Sequence, residues 1–275
     1  MKNILLTGGT GFVGNQVLNS LRKLDVSIRL IVREQSKITF YENLGIKTFY
    51  LPDLFNTPLD QLQFICNDVN IVIHCAWYVE PINYLNNEKN LDCLVGTLNL
   101  AKACIFCGVE RFIGVGSCFE YKMASKPLSI NAQIAPTSLY SATKASTFYI
   151  LKELFKNSNV SFLWARLFYM FGEGENEDRL YAYIHKKLSN GLQVELTEGS
   201  QIRDYMDVTE VGKILATTSL SNKVGAVNIC SGKPQSVKQI ANEIANIYGN
   251  SHLLAFGARP TNIYDPKYIV GVPSF

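Results

Sequence analysis

The chain has 275 residues, 47% of them hydrophobic and 18% charged, with a formal net charge of +3. That composition suits a folded globular chain and excludes a disordered one. The small charge, with no Lys or Arg run, gives no reason to propose a nucleic-acid or membrane surface, and no segment reaches the roughly 18 apolar residues of a membrane span.

The first apolar run, inside "NILLTGG", is too short for a signal-peptide core, so a cytoplasmic location is expected. The seven cysteines are scattered, and the odd count in that setting points to free thiols. "CIFC" (Cys104, Cys107) has no second Cys or His pair at zinc spacing. It reads as helix packing, and no metal site is expected.

In chain order, strand-length apolar runs fall at Asn3–Leu6, Ser27–Val32, Thr48–Leu51, Ile71–Cys75, Arg111–Val115 and Val160–Arg166. Each is nearly continuous and rich in Ile and Val, as in strands buried on both faces of a parallel sheet. Helical spacing lies between them at Val13–Leu24, Asn90–Cys107 and Ser138–Asn157. The alternation predicts right-handed βαβ units and an α/β, doubly wound parallel sheet of Rossmann type over 1–168. Past Arg166 the rhythm breaks. A helix spans Arg179–Asn190, and another opens on the capping box Ser236…Gln239 and closes near Gly249. Residues 169–275 read mainly as a smaller C-terminal substrate-binding lobe, with about 203–222 rejoining the first domain.

Strand, glycine loop and helix meet at once in "NILLTGGTGFVG". Gly9, Gly11 and Gly14 fit the dinucleotide fingerprint, and Gly8, Gly11 and Gly14 fit its short-chain dehydrogenase variant. Glycines let the backbone approach a pyrophosphate seated on a helix N-terminus. The second strand ends in Arg33, with Glu34 after it. A guanidinium there suits the 2′-phosphate of NADP(H), with NAD(H) as the alternative and a solvated surface residue as the bland reading. Asp53, after the third strand, either accepts from the adenine amine or caps its own loop.

In "SLYSATKAS", Tyr140 and Lys144 lie one helical turn apart and project from one face. An ammonium beside a phenol lowers its pKa from about 10 and fits it for proton exchange near neutral pH. Alone the spacing is a common accident. It gains weight from Ser117, in "GVGSCFEY", at the C-terminal end of the fifth strand, where such sheets bind ligands.

The sequence resembles the extended short-chain dehydrogenase/reductase family, nucleotide-sugar epimerase/dehydratase/reductase branch. The resemblance covers nearly the whole chain and rests on "TGGTGFVG", "DVNIVIHCAW", "GTLNLAKAC", "GVGSCFEY", "YSATK", "ARLFYMFGEG", "RDYMDVTEV" and "GARP". It implies that Ser117, Tyr140 and Lys144 are catalytic. Tyr140 and Lys144 also meet the cofactor, with Gly8, Gly11, Phe12, Val13 and Gly14 of the loop. Arg33, Asp53, Leu54, Cys75 and Ala76 complete that set. Substrate contacts are implied for Ser117, Tyr169, Arg179, Arg203 and Arg259, the last two as a diphosphate clamp. A nucleotide-diphosphate sugar substrate and a homodimer are further implications. Two departures affect the substrate pose: Cys93 and Tyr169 stand where the family often has Asn.

Three chemistries share this frame. Family dehydratases carry an Asp-Glu pair after the position of Ser117, where this chain has Cys118 and Phe119, and Glu120 one place further points elsewhere. A 4-epimerase retains NAD. Arg33 favours NADPH, and hence a reductase acting on the C4 ketone of a nucleotide-linked 4-keto-6-deoxyhexose. Cys118 reads as a small packing residue. A non-catalytic NADP-binding protein would not need the Ser-Tyr-Lys set, and a reductase of lipophilic ketones would leave Arg203 and Arg259 without a phosphate.

Overall fold

A computed structural model describes residues 1–81, 83–262 and 265–275. The chain begins β1 (Lys2–Thr7), α1 (Phe12–Leu21), β2 (Val26–Val32), α2 (Ile38–Glu42), β3 (Lys47–Tyr50), α3 (Leu59–Cys66) and β4 (Ile71–His74). It continues with α4 (Lys89–Phe106), β5 (Arg111–Ser117), α5 (Leu139–Lys156), β6 (Ser161–Leu167), β7 (Tyr169–Phe171), α6 (Leu180–Ser189), β8 (Val194–Glu195), β9 (Ile202–Arg203) and β10 (Tyr205–Asp207). Then come α7 (Val208–Ser219), β11 (Gly225–Ile229), β12 (Gln235–Ser236), α8 (Val237–Tyr248), β13 (Leu254–Ala255) and β14 (Tyr268–Ile269).

Seven strands form one parallel sheet in the order β11-β6-β5-β4-β1-β2-β3. The sheet is the doubly wound one the sequence predicts. Alternation along a strand sends neighbouring side chains to opposite faces. Thus Ile4, Leu6, Leu30 and Ile73 pack with Val17 and Leu21 of α1 and Val211 and Leu215 of α7. Leu5, Ile31, Val72 and Phe112 pack on the other face with α3, α4 and α5, where Cys104 is a core residue. Each fully buried side chain of this size contributes roughly 1.5–3 kcal/mol, so the two-sided core fixes the strand order.

Two elements of this sheet differ from expectation. β5 runs on to Ser117 rather than stopping at Val115, and β11, not anticipated, extends the edge beside β6. After β7, a separate cluster forms in which Ile184 and Leu188 of α6 pack on Ile240 and Ile244 of α8. Asp204, fully buried, sits between β9 and β10. Its Oδ1 accepts from Ser231 N (2.8 Å) and Oγ (2.6 Å), and its Oδ2 from Gly232 N (2.9 Å) and Gly271 N (3.1 Å). One carboxylate therefore ties three distant segments together. Among the described residues, no helix is long and apolar enough to cross a membrane.

Candidate active site

β1 and β4 are neighbours, and the chain leaves them toward opposite sides of the sheet. A crevice therefore opens at their C-terminal ends, where such sheets bind ligands. The crevice is a cavity of about 660 Å³. Its floor is the glycine turn between β1 and α1. Gly8 has φ +70°, and a Cβ there would lie 2.6 Å from Ala76 N; one on Gly14 would lie 2.1 Å from Gly8 O. Neither position tolerates a side chain. A buried relay braces the turn from behind. Thr97 Oγ1 donates to Cys93 O (2.6 Å), so His74 Nε2 donates to Thr97 Oγ1 (2.9 Å) and Nδ1 accepts from Thr7 Oγ1 (2.8 Å). Thr7 Oγ1 in turn accepts from Ala76 N at 3.3 Å. Burial holds the His74 pKa down to about 3, so the ring stays neutral in that tautomer.

The turn fits a dinucleotide. α1 begins at Gly11 with no side-chain cap and no acid in its first turn, which leaves its leading N–H groups free for an anion. Phe12 and Val13 line the cavity beside them, with Leu54, Cys75 and Ala76 opposite. Arg33, exposed and one residue past β2, stands at the rim. Asp53 also lines the cavity, but it acts as a loop cap: Oδ1 accepts from Phe55 N (3.0 Å) and Oδ2 from Asn56 Nδ2 (2.7 Å). The Asn56 side chain is the main reason its pKa is lowered.

The predicted proton-transfer residues come together in the same cavity. Helix α5 starts on the cap Ser138, whose Oγ accepts from Ser141 N at 3.2 Å. Tyr140 N donates to Leu85 O (2.8 Å), docking the first turn onto the loop after β4. The Tyr140 phenol and the Ser117 side chain both line this cavity. The Tyr84 ring meets the Tyr140 ring edge-on at 4.9 Å. Lys144 Nζ donates to Val115 O (2.6 Å), sits 3.7 Å over the Trp77 ring and lies 6.0 Å from the centre of the Tyr140 ring.

The electrostatics correct one expectation. Burial raises the Tyr140 pKa rather than lowering it, and burial pulls Lys144 down to about 7. Among the described residues no acid is bonded to Lys144 to offset its burial, so it supplies less charge to the phenol than the spacing implied. Cys118 is packed in an apolar cluster, and its thiol is pushed up to about 12 by burial.

On the lobe side Tyr169 and Arg179 line the cavity, together with Glu175, whose pKa burial raises to about 7 against the pull of Arg179. Arg203 and Arg259 are not brought to the cavity wall. Arg203 is buried, paired with Asp265 at 2.6 Å, and its guanidinium lies 5.4 Å from the Tyr169 ring centre. Arg259 is exposed and donates to Tyr183 Oη at 2.9 Å. Trp77, Tyr84 and Glu175 line the site without having been anticipated. Their signal was weak, since an aromatic or acid in a polar loop marks no period.

Fold and site together define a dinucleotide-binding α/β protein of the extended short-chain dehydrogenase/reductase class. The chain belongs to the NAD dependent epimerase/dehydratase family, whose model matches residues 4–230. A trifunctional UDP-glucose 4,6-dehydratase/UDP-4-keto-6-deoxy-D-glucose 3,5-epimerase/UDP-4-keto-L-rhamnose-reductase of Arabidopsis thaliana is 24% identical over 290 residues. That match covers 98% of this chain and 43% of the relative, so the chain spans less than half of the plant protein. A dTDP-6-deoxy-L-talose 4-dehydrogenase (NAD(+)) of Aggregatibacter actinomycetemcomitans is 21% identical over 280 residues, covering 98% of this chain and 99% of the relative. A UDP-glucose 4-epimerase of Vibrio cholerae is 28% identical over 251 residues, covering 87% of this chain and 69% of the relative. Among solved structures, the Thermotoga maritima UDP-glucose 4-epimerase with UDP-glucose superposes with a TM-score of 0.84 at 19% identity, over 99% of this chain and 90% of that one. The Thermus thermophilus UDP-glucose 4-epimerase with NAD gives 0.81 at 20% identity, over 98% and 90%. At these identities the likeness concerns the fold.

Proposed function

We propose that the protein is a nucleotide-sugar oxidoreductase that reduces the C4 ketone of a nucleotide-linked 4-keto-6-deoxyhexose, with NADPH preferred. The observation that carries this reading is the meeting of Ser117, Tyr140 and Lys144 in one cavity with the glycine turn and Arg33. Gly8, Gly11, Phe12, Val13 and Gly14 would hold the pyrophosphate, Arg33 the 2′-phosphate, and Lys144 the ribose hydroxyls. The cofactor supplies the hydride. The Ser117 hydroxyl fixes the sugar oxygen, Tyr140 gives up its phenolic proton as that oxygen gains charge, and Lys144 next to it steadies the resulting phenolate. Residues 169–275 contribute the substrate lobe, with Tyr169 and Arg179 against the nucleotide sugar. Arg203, behind Tyr169, supports that wall.

A dehydratase is disfavoured because no acid–base pair follows Ser117: the Cys118 thiol stays protonated, and Glu120 is sequestered by other donors. The 4-epimerase reading draws support from the relatives and neighbours named as 4-epimerases, with retained NAD. A homodimer through α4 and α5 accords with the exposed Leu91, Val95, Tyr149 and Ile150 on two helices packed side by side.

The test mixes the purified protein with NADPH and a panel of nucleotide-linked 4-keto sugars and identifies products. Turnover is expected on at least one member, and Tyr140→Phe should lower it by at least about a hundredfold with cofactor affinity unchanged. No turnover on any member removes the reductase reading. A protein purified with NAD bound, acting on 4-hydroxyl sugars alone, favours the epimerase.

A further inference from the structure

We propose that Glu120 is a positioning residue for Ser117; this rests on the reading that Ser117 belongs to the proton-transfer set. β5 ends at Ser117, and a 3₁₀ turn over Cys118–Glu120 folds the chain back under that residue. The fully buried Glu120 carboxylate then accepts three bonds. Oε1 takes Ser117 N at 2.8 Å and Trp164 Nε1 at 2.9 Å, and Oε2 takes Arg166 Nε at 2.7 Å. Ser117 Oγ accepts from Phe119 N at 3.2 Å, which leaves its O–H to donate into the cavity. Backbone and hydroxyl of Ser117 are thus pinned from two sides, one of them by Glu120.

The surroundings are shaped for this contact. A Cβ on Gly116 would lie 2.2 Å from Trp164 Nε1 and 2.4 Å from Glu120 Oε1, so only glycine fits above the carboxylate. Arg166, also buried, passes the tie onward: NH1 donates to Tyr121 Oη (3.1 Å), which donates to Asn228 Oδ1 (2.7 Å) on β11. A buried ion pair is a poor choice for stability alone, because well-packed apolar side chains of similar volume serve as well or better. A charged acceptor directly beneath the Ser117 amide makes sense where the placing of that residue matters.

Single removal of Glu120 strands the Arg166 charge and risks unfolding, so the test compares two neutral pairs. Glu120→Gln with Arg166→Met keeps an acceptor for Ser117 N, and Glu120→Leu with Arg166→Met removes it. With equal melting temperatures, the Leu pair should lose at least about tenfold in kcat with KM little changed, and the Gln pair should recover most of that loss. In a Ser117→Ala background the two pairs should turn over alike, because Glu120 acts through Ser117. Equal kcat in the two pairs, or a difference that survives Ser117→Ala, overturns the proposal. Hydrogen exchange over residues 112–121 gives a readout without turnover. The Leu pair should exchange the Ser117 amide about tenfold faster than the Gln pair, and equal rates overturn the proposal even if no substrate on the panel reacts.

Discussion

Lys144 shows how a residue of the candidate site is held at the expense of stability. Its ammonium is buried, and among the described residues the Val115 carbonyl and the Trp77 face support it in place of a carboxylate. Its folded pKa of about 7 lies below the ordinary lysine value of 10.5. Between those values the unfolded chain holds more protons, so this residue's contribution to stability rises with pH across the window and is most unfavourable below it. Lys144→Met loses one hydrogen bond, about 1 kcal/mol, and relieves a buried charge that costs several. The variant should therefore melt about 3–8 °C above the parent at pH 6.5. The gap should close as pH approaches 10, with turnover abolished. A lower melting temperature at pH 6.5 would contradict this account. The Tyr140–Lys144 pair was legible because its spacing fixes a shared face. The direction of its titration was not, because burial is set by residues far away in sequence. Trp77 and Tyr84, which close over the pair, sit in a loop whose path no periodicity encodes.

Helix α1 follows the glycine turn, and α7 packs along α1. The two cross so closely that a Cβ on Gly212 would lie 2.5 Å from the Gln16 carbonyl carbon. Two effects compete in Gly212→Ala: helix propensity gains up to about 1 kcal/mol, and overpacking against a backbone that cannot yield costs roughly 1–3 kcal/mol. The second should win, with a lower melting temperature and weaker dinucleotide binding in a titration. A more stable variant would mean that α7 slides freely. Among elements, the sheet strands were readable because burial on both faces makes them continuous apolar runs. β5 was read two residues short because Gly114 and Gly116 look like a strand end, whereas they make room for the Trp164 ring. β11 escaped notice because the buried Asn228 interrupts its apolar pattern, and α3 because eight residues carry little period.

At the scale of the molecule, the sheet forms one rim of the cavity and residues after β6 form the other. Arg33 stands at the sheet-side rim as an exposed cation past β2. Arg33→Ala should weaken NADPH by at least about tenfold and NADH less than about twofold by fluorescence titration, since one charge-assisted contact is worth about 1.5–3 kcal/mol. Equal losses would remove the NADPH preference. The sequence marked Arg33 by its place at the end of a strand, and the residue does line the cavity. The sequence did not foresee that Arg203 and Arg259 would be engaged by Asp265 and Tyr183, because partners of long side chains depend on loops that meet only in three dimensions. The four bonds to Asp204 carry a consequence for biosynthesis. They close spans of 27, 28 and 67 residues, so on the ribosome the set stays incomplete until residue 271 has emerged. A nascent chain arrested before that point should remain protease-sensitive around residues 200–235 although its seven-stranded sheet is already complete, and resistance there would mean that the acid finds other partners first.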